Sequence, residues 1–314
     1  MNPMLDASMG ITPIDRHAEI RKNNDKLRDY AISESAQYIV WVKTQLLFDS
    51  TESIFFNYQQ IQEFGVELSE RIYLGKSENA HYFSYQLNKI PEAFDESDLT
   101  NLRSISLLAD EEEISLLFHS QGLFNWHRRH KFCASCGGAT SFSNAGHSRK
   151  CLSTECNREH FPRIDPAVIF SISDNKSEKP RLLLARQANW DVGRYSVIAG
   201  FVEPGETLEN AVFREAYEEV GLQLESVQYL ASQPWPFPSS MMIGFEAVTR
   251  TTDIKLIDKE IDHAMWVTAD EIIDKVKQSK LVFPYSISIS WALINRWFVK
   301  QTGYSINEIG TKQI

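Results

Sequence analysis

Apolar and polar positions divide the chain into two regimes. Residues 1–35 are mostly polar and predict an irregular or loosely helical lead-in, after which residues 37–48 form a run rich in β-branched and aromatic side chains. Shorter runs of the same kind at 54–56, 71–74 and 81–87, separated by polar breaks, predict a small sheet-rich domain ending near Asp110. A helix is expected over 111–130. Ile114, Leu116, Leu117, Leu123 and Trp126 supply its broad apolar face, and the acidic start suits a helix N-terminus.

From residue 166 the pattern becomes one of strands interrupted by helices. Strands are expected at 166–173, 181–186, 196–202, 224–231, 241–248 and 264–267, with a polar turn at 174–179. The proline-free end of the stretch 200–222 predicts a helix that stops at Gly221, and further helices are expected over 269–277 and 288–300. The fold class expected from this order is a multidomain α+β chain.

Composition adds bounds. The sequence has 314 residues, 43% apolar and 24% charged, enough for two or three ordinary globular domains. It contains no apolar run of about 18 residues, so no membrane-spanning helix is expected. The first thirty residues carry charges throughout and do not read as a secretory signal, and residues 311–314 match no retention or peroxisomal address, so a cytoplasmic location is the default expectation. A net charge of −10 argues against wholesale electrostatic binding of nucleic acid. It leaves open a small phosphate ester held through metal ions, which invert the local charge.

All four cysteines lie together. Cys133 and Cys136 form one short-spaced pair, Cys151 and Cys156 a second, and the two predict a four-cysteine zinc ribbon in which one structural Zn²⁺ has a closed tetrahedral shell. Two disulfides are the alternative, but nothing indicates an oxidising compartment. The longer spacing of the second pair leaves His160 as a remote substitute ligand. Around the ribbon, Arg128, Arg129, Lys131, Arg149, Lys150, Arg158 and Arg163 form a locally basic region, either a charged surface or a phosphate-contacting rim. His81, His119, His127 and His130 read as surface or packed residues.

Two stretches carry candidate chemistry. Glu215, Glu218 and Glu219 fall within an arc of roughly 100° on a helix. Carboxylates so placed repel by a few tenths of a kcal/mol, so they mark either a solvated acidic face or a site for a hard cation, Mg²⁺ or Mn²⁺. The second stretch, S-Q-P-W-P-F-P-S-S over 232–240, has three alternate prolines that oppose an ordinary central strand or helix and enforce an extended, rigid segment. Trp235 and Phe237 would there offer faces for stacking on a base, worth roughly 1–3 kcal/mol. A structural corner and a proline-rich partner motif are equal alternatives.

The spacing of Gly200, Glu206, Arg214-Glu215, Ala216, Glu218-Glu219, Gly221 and Leu222 resembles the Nudix box at every fixed position. With the cysteine ribbon before it and Q-P-W-P-F-P after it, the stretch from about 126 to 300 is similar to the NADH pyrophosphatase subfamily of Nudix hydrolases, which also removes NAD caps from RNA. The resemblance implies a sheet-rich N-terminal domain over 1–130, a ribbon over 131–163 and a Nudix α/β/α sandwich over 164–314. It further implies catalytic Mg²⁺ or Mn²⁺, more than one per site, bound by the Ala199 carbonyl and by Glu215, Glu218, Glu219 and Glu260. Glu219 is the first choice of catalytic carboxylate and Glu218 the next. Glu206 and Arg214 are expected to pair and orient the box. Substrate-binding residues carried over are Phe161, Gln233, Pro234, Trp235, Pro236, Phe237, Pro238, Ser239, Ser240 and Ser290. The implied reaction is hydrolysis of NAD(H) to NMN(H) and AMP. NAD-capped RNA acted on by the same site and a non-catalytic nucleotide sensor are the other readings, and a homodimer is the expectation from relatives.

Overall fold

The computed structural model describes residues 14–48, 53–65, 70–106, 108–257 and 259–309. The first part of the lead-in, Asp258 beside Glu260, and residues 311–314 lie outside the described residues. The described residues form two compact units, one within 14–164 with 236–239, the other within 165–235 with 240–309.

In the N-terminal unit the lead-in is more ordered than expected. Asn23 accepts a hydrogen bond from the Lys26 N–H and starts α1 (Asn24–Ala31). The apolar run at 37–48 is two strands, β1 (Ala36–Val42) and β2 (Gln45–Leu47), because the backbone turns at Lys43, whose φ is 58°. The run at 54–56 contributes only a bridge from Phe56 to Tyr38, and α2 (Tyr58–Glu63) follows it. Next come β3 (Ile72–Lys76), β4 (His81–Leu87), β5 (Leu99–Thr100), α3 (Leu102–Ile105) and α4 (Glu111–Arg129). The sheet order is β3-β4-β1-β2-β5, with β1 and β4 parallel, and its core holds Tyr38, Phe56, Tyr73, Phe83 and Tyr85. A reciprocal pair of hydrogen bonds between Asp110 and Glu113 caps α4, as the acidic start of that run suggests.

The ribbon is a three-stranded sheet of β6 (Thr140–Ser143), β7 (Ser148–Cys151) and β8 (Glu159–His160). Arg149 joins it to α4. The guanidinium donates to the Thr140 hydroxyl and carbonyl, both at 2.7 Å, and to His127 Nδ1 at 3.0 Å, while His127 Nε2 donates to the Gly146 carbonyl at 2.7 Å. Arg149 is therefore buried and does not belong to a basic rim. Lys150, Arg158 and Arg163 are exposed.

In the C-terminal unit the strands are β9 (Asp165–Asp174), β10 (Arg181–Gln187), β11 (Ile198–Phe201), β12 (Leu224–Trp235), β13 (Ser240–Thr249) and β14 (Ile261–Val267). They form a sheet of order β12-β13-β9-β10-β14, with β11 on β9. The helices are α5 (Leu208–Val220), α6 (Ala269–Lys277) and α7 (Ile289–Thr302). Alternation along β9 sends Val168, Phe170 and Ile172 into a core with Ala211, Val212, Ala216 and Val220 of α5. Ile169 on the other face joins Ile272 of α6 and Leu293, Ile294, Trp297 and Phe298 of α7. A sheet covered on both faces results.

The strand expected over 224–231 runs further: Gln233, Pro234 and Trp235 are extended, as the prolines predict, and pair with Met242, Met241 and Ser240 as the end of a β12–β13 hairpin. Pro234 is tolerated because β12 is the edge of the sheet, where a missing N–H breaks no inner ladder.

Candidate functional site

Thr207 accepts a hydrogen bond from the Asn210 N–H at the start of α5, and Gly221 ends the helix with φ 69°, a left-handed conformation suited to glycine. Between these stops Ala211, Val212, Ala216 and Val220 face the core, and the carboxylates emerge beside β11.

The closest approach is between Gly200 and Glu215. A Cβ placed on Gly200 would stand 1.9 Å from Glu215 Cδ, so the carboxylate fills the space that any other residue at 200 would occupy. It thereby lies against the β11 backbone next to Ala199, which is paired to Ile169 of β9. Arg214 organises the other acids. Its guanidinium donates to Glu206 through Nε and Nη2, both at 2.9 Å, to Glu215 at 2.8 Å and Glu218 at 2.9 Å, and to the Phe201 carbonyl at 2.8 Å. The Glu206–Arg214 pair thus exists as part of a larger network, and Arg214 lowers the pKa of Glu206.

Burial raises the pKa of Glu215 against the opposing effect of Arg214, and Glu218 and Glu260 raise it further. Glu260 is thus close enough to act on Glu215, whereas its neighbour Asp262 is paired with Arg186. Glu219, one helical turn on, is only 3% exposed, while Glu218 is half exposed. The fold therefore gathers Ala199, Glu215, Glu218 and Glu260 about the β11–α5 junction and buries Glu219 on the same helix. Hard oxygen donors of this kind are the type that takes a divalent cation, although among the described residues only the four cysteine sulfurs lie close enough together to share one ion.

The substrate-binding candidates are placed more diversely. Gln233 is 1% exposed, and its amide is committed to backbone: Nε2 donates to the Ile287 carbonyl at 2.7 Å and Oε1 accepts from the Ile289 N–H at 2.8 Å. The side chain thereby clamps the start of α7. Ser290, also buried, shares a 3.0 Å hydroxyl hydrogen bond with Ser288, the α7 N-cap. Pro234 is exposed, Pro236 buried, and Trp235, Pro238, Ser239 and Ser240 are half-buried. Phe237 packs edge-on against Phe118 and lies under the Arg103 guanidinium, 4.6 Å away. Asn125 of α4 donates to the Pro236 and Pro238 carbonyls at 2.9 and 3.0 Å. Sequence reasoning missed Asn125, whose signal was a polar residue on an apolar helix face. Phe161 is 65% exposed.

The four cysteine sulfurs lie within 4.8 Å of one another. Cys133–Cys156 and Cys136–Cys151 separations of 3.8 and 3.5 Å are too long for disulfides and match the edge of a tetrahedron with Zn–S bonds of about 2.3 Å. The Ser135 N–H holds the Cys133 thiol down to about 5, and His160 Nε2, 3.2 Å from Cys133 Sγ, donates to it rather than replacing a cysteine.

Family comparisons agree with this arrangement. Residues 163–285 match the NUDIX domain, 128–161 the NADH pyrophosphatase zinc ribbon domain, and 35–126 the NADH pyrophosphatase-like rudimentary NUDIX domain. NAD-capped RNA hydrolase NUDT12 of Homo sapiens is 41% identical over 60% of this chain and 42% of its own length, so the match spans less than half of that relative. NAD-capped RNA hydrolase NudC of Mycobacterium bovis is 38% identical over 73% of this chain and 75% of its own. A NUDIX hydrolase of known structure from Nitrosomonas europaea is 20% identical, with a TM-score of 0.43 over 56% of this chain and 94% of its own. From the matching sequence of all three segments and the extent of the bacterial match, the chain belongs to the NADH pyrophosphatase family of Nudix proteins, the family of NudC.

Proposed function

We propose that this chain hydrolyses the pyrophosphate bond of NAD(H), yielding NMN(H) and AMP. The observation that carries the reading is the Glu215 carboxylate seated on Gly200 beside Ala199, with Glu218, Glu219 and Glu260 around it. Mg²⁺ or Mn²⁺ would be held by the Ala199 carbonyl and these four carboxylates. A divalent cation bound there makes water a better nucleophile and neutralises charge on the phosphate oxygens. Glu219 accepts the proton of the attacking water, with Glu218 as the second candidate. Arg214 orients Glu215 and Glu218 through its hydrogen bonds. Trp235 of the C-terminal unit offers an aromatic face for the nucleotide. Zn²⁺ in the ribbon has a structural role.

Removal of the NAD cap from RNA by the same residues is the second reading, favoured by the names of the relatives and by exposed Lys150 and Arg158 on the ribbon. The carboxylate set disfavours a non-catalytic sensor, which has no need of it. A homodimer and a cytoplasmic location complete the proposal. It is tested by measuring turnover of NADH, NAD⁺, ADP-ribose, diadenosine polyphosphates and NAD-capped RNA with Mg²⁺ or Mn²⁺. Release of NMN(H) and AMP is expected, and turnover of ADP-ribose without NAD(H) would overturn it.

A further inference from the structure

We propose that Arg186 is a positioning residue: it holds a β-bulge at Asp262, near the start of β14, and through that bulge brings Glu260 to α5. The inference rests on the proposed metal-dependent hydrolysis, because Glu260 is one of the carboxylates assigned there to the cation.

The register of β10 and β14 defines the bulge. Pairs run from Leu182 with Val267 to Arg186 with His263 without a slip, and the next step joins Gln187 to Ile261, so Asp262 is an extra residue. An extra residue exchanges the two faces of the strand beyond it. Packing shows the exchange. Met265 and Val267 pack on the side of α6 and α7, whereas Ala264 and Trp266 pack into the core shared with α5. Strict alternation would continue with Ile261 on the first side and would send the Asp262 carboxylate in among Ala216 and Val220. Instead Ile261 is buried in the α5 core, and the Asp262 side chain is 44% exposed.

Arg186 fixes Asp262 in this arrangement. Its Nη2 donates to Asp262 Oδ2, and its guanidinium lies over the Tyr195 ring, 6.0 Å from the centroid. Tyr195 is buried, and its hydroxyl shares a 3.0 Å hydrogen bond with Nδ1 of His263, the residue after the bulge. Next to Tyr195, Ser196 exchanges backbone hydrogen bonds of 2.8 and 2.9 Å with Ala185 of β10. Asp262 and His263 are therefore both tied to one side of the sheet by groups that β10 holds. A planar guanidinium bonded to a carboxylate and resting on a ring has little freedom to turn.

The consequence falls on the residue before Ile261. With Ile261 seated among α5 side chains, Glu260 enters the strand beside that helix, near enough for its charge to act on Glu215. Bulges beside reacting groups commonly re-aim a side chain in this way.

Mn²⁺ binding to the zinc-replete full chain, followed by the paramagnetic resonance of free Mn²⁺, tests the role apart from turnover. Arg186→Leu should weaken binding by about 10–100-fold, the usual effect of removing a group that orients a metal ligand. Asp262→Asn, with almost the same shape, should do likewise in a chain that circular dichroism shows to be folded. In a Glu260→Gln background Arg186→Leu should cause no further loss, because the ligand that it positions is already gone. The positioning role is overturned if Glu260→Gln weakens Mn²⁺ binding while Arg186→Leu and Asp262→Asn do not, or if the losses from Arg186→Leu and Glu260→Gln add in full; the metal reading then stands. If the parent binds no Mn²⁺, or Glu260→Gln leaves binding unchanged, the metal reading fails and the positioning role with it.

Discussion

The carboxylate of Glu215 occupies the place of the side chain that Gly200 lacks. The 1.9 Å separation between a Cβ at 200 and Glu215 Cδ leaves no position for both. Gly200→Ala should therefore expel Glu215 from β11. A displacement of about 1 Å at a reacting centre costs on the order of 100-fold, so kcat for NADH should fall by about that factor. Circular dichroism should still report a folded chain, and a kcat equal to the parent would refute the role of this contact.

Glu219→Gln should lower turnover by about 10²–10⁴-fold, the usual contribution of a general base. The two side chains have nearly the same shape, so the fold is expected to survive. Normal hydrolysis by the folded variant would remove Glu219 from the mechanism.

Gln233→Leu tests the clamp on α7. It leaves the Ile287 carbonyl and Ile289 N–H without their buried partner, at about 1–3 kcal/mol for each unsatisfied group. Denaturant unfolding should show the loss, with an increase in KM if α7 positions Ser290 beside substrate. Unchanged stability would mean that the clamp is dispensable.

Zinc removal should act on the fold. The ribbon sheet is small, and its four thiolates form a closed set with no protein group left to offer an open position. A strong chelator or Cys136→Ala should release one zinc per chain, measured by metal analysis, and lower the melting temperature. Release of zinc without loss of stability would contradict a structural role.

Burial pushes His127 down to about 3 and His147 down to about 4, from an ordinary value of 6.5. Both act as neutral hydrogen-bonding groups, His147 donating to the Tyr73 carbonyl at 2.7 Å. Because the folded values are depressed, their stabilisation is fully present above about pH 6.5 and is lost as pH falls toward 4. Urea unfolding at pH 7 and at pH 4.5 should differ by about 2–3 kcal/mol per histidine. His147→Gln should flatten part of that dependence, and an identical pH profile in the variant would exclude His147 as a source.

Helix α5 and the ribbon were legible in the primary structure because their signals are local. The 3.6-residue period puts three glutamates on one side of a helix, Gly221 stops it, and paired cysteines at short spacing can converge only through tight turns. The same locality explains what was misread. The run 37–48 turns back on itself at Lys43, and 232–235 looked like an isolated stiff segment because β13, its pairing partner, supplies the hydrogen bonds that make it a strand. Arg149 looked like one basic residue among several until β6 and α4 enclosed it.

Chemical type was thus written in short-range spacing: a carboxylate helix for a hard cation and a thiolate cage for zinc. Which carboxylate rests on bare backbone and which glutamine braces a helix depended on segments far apart in the chain. Those relationships arise only when the sheet packs and excludes water, since burial turns a polar side chain from a surface group into one that must find its partner.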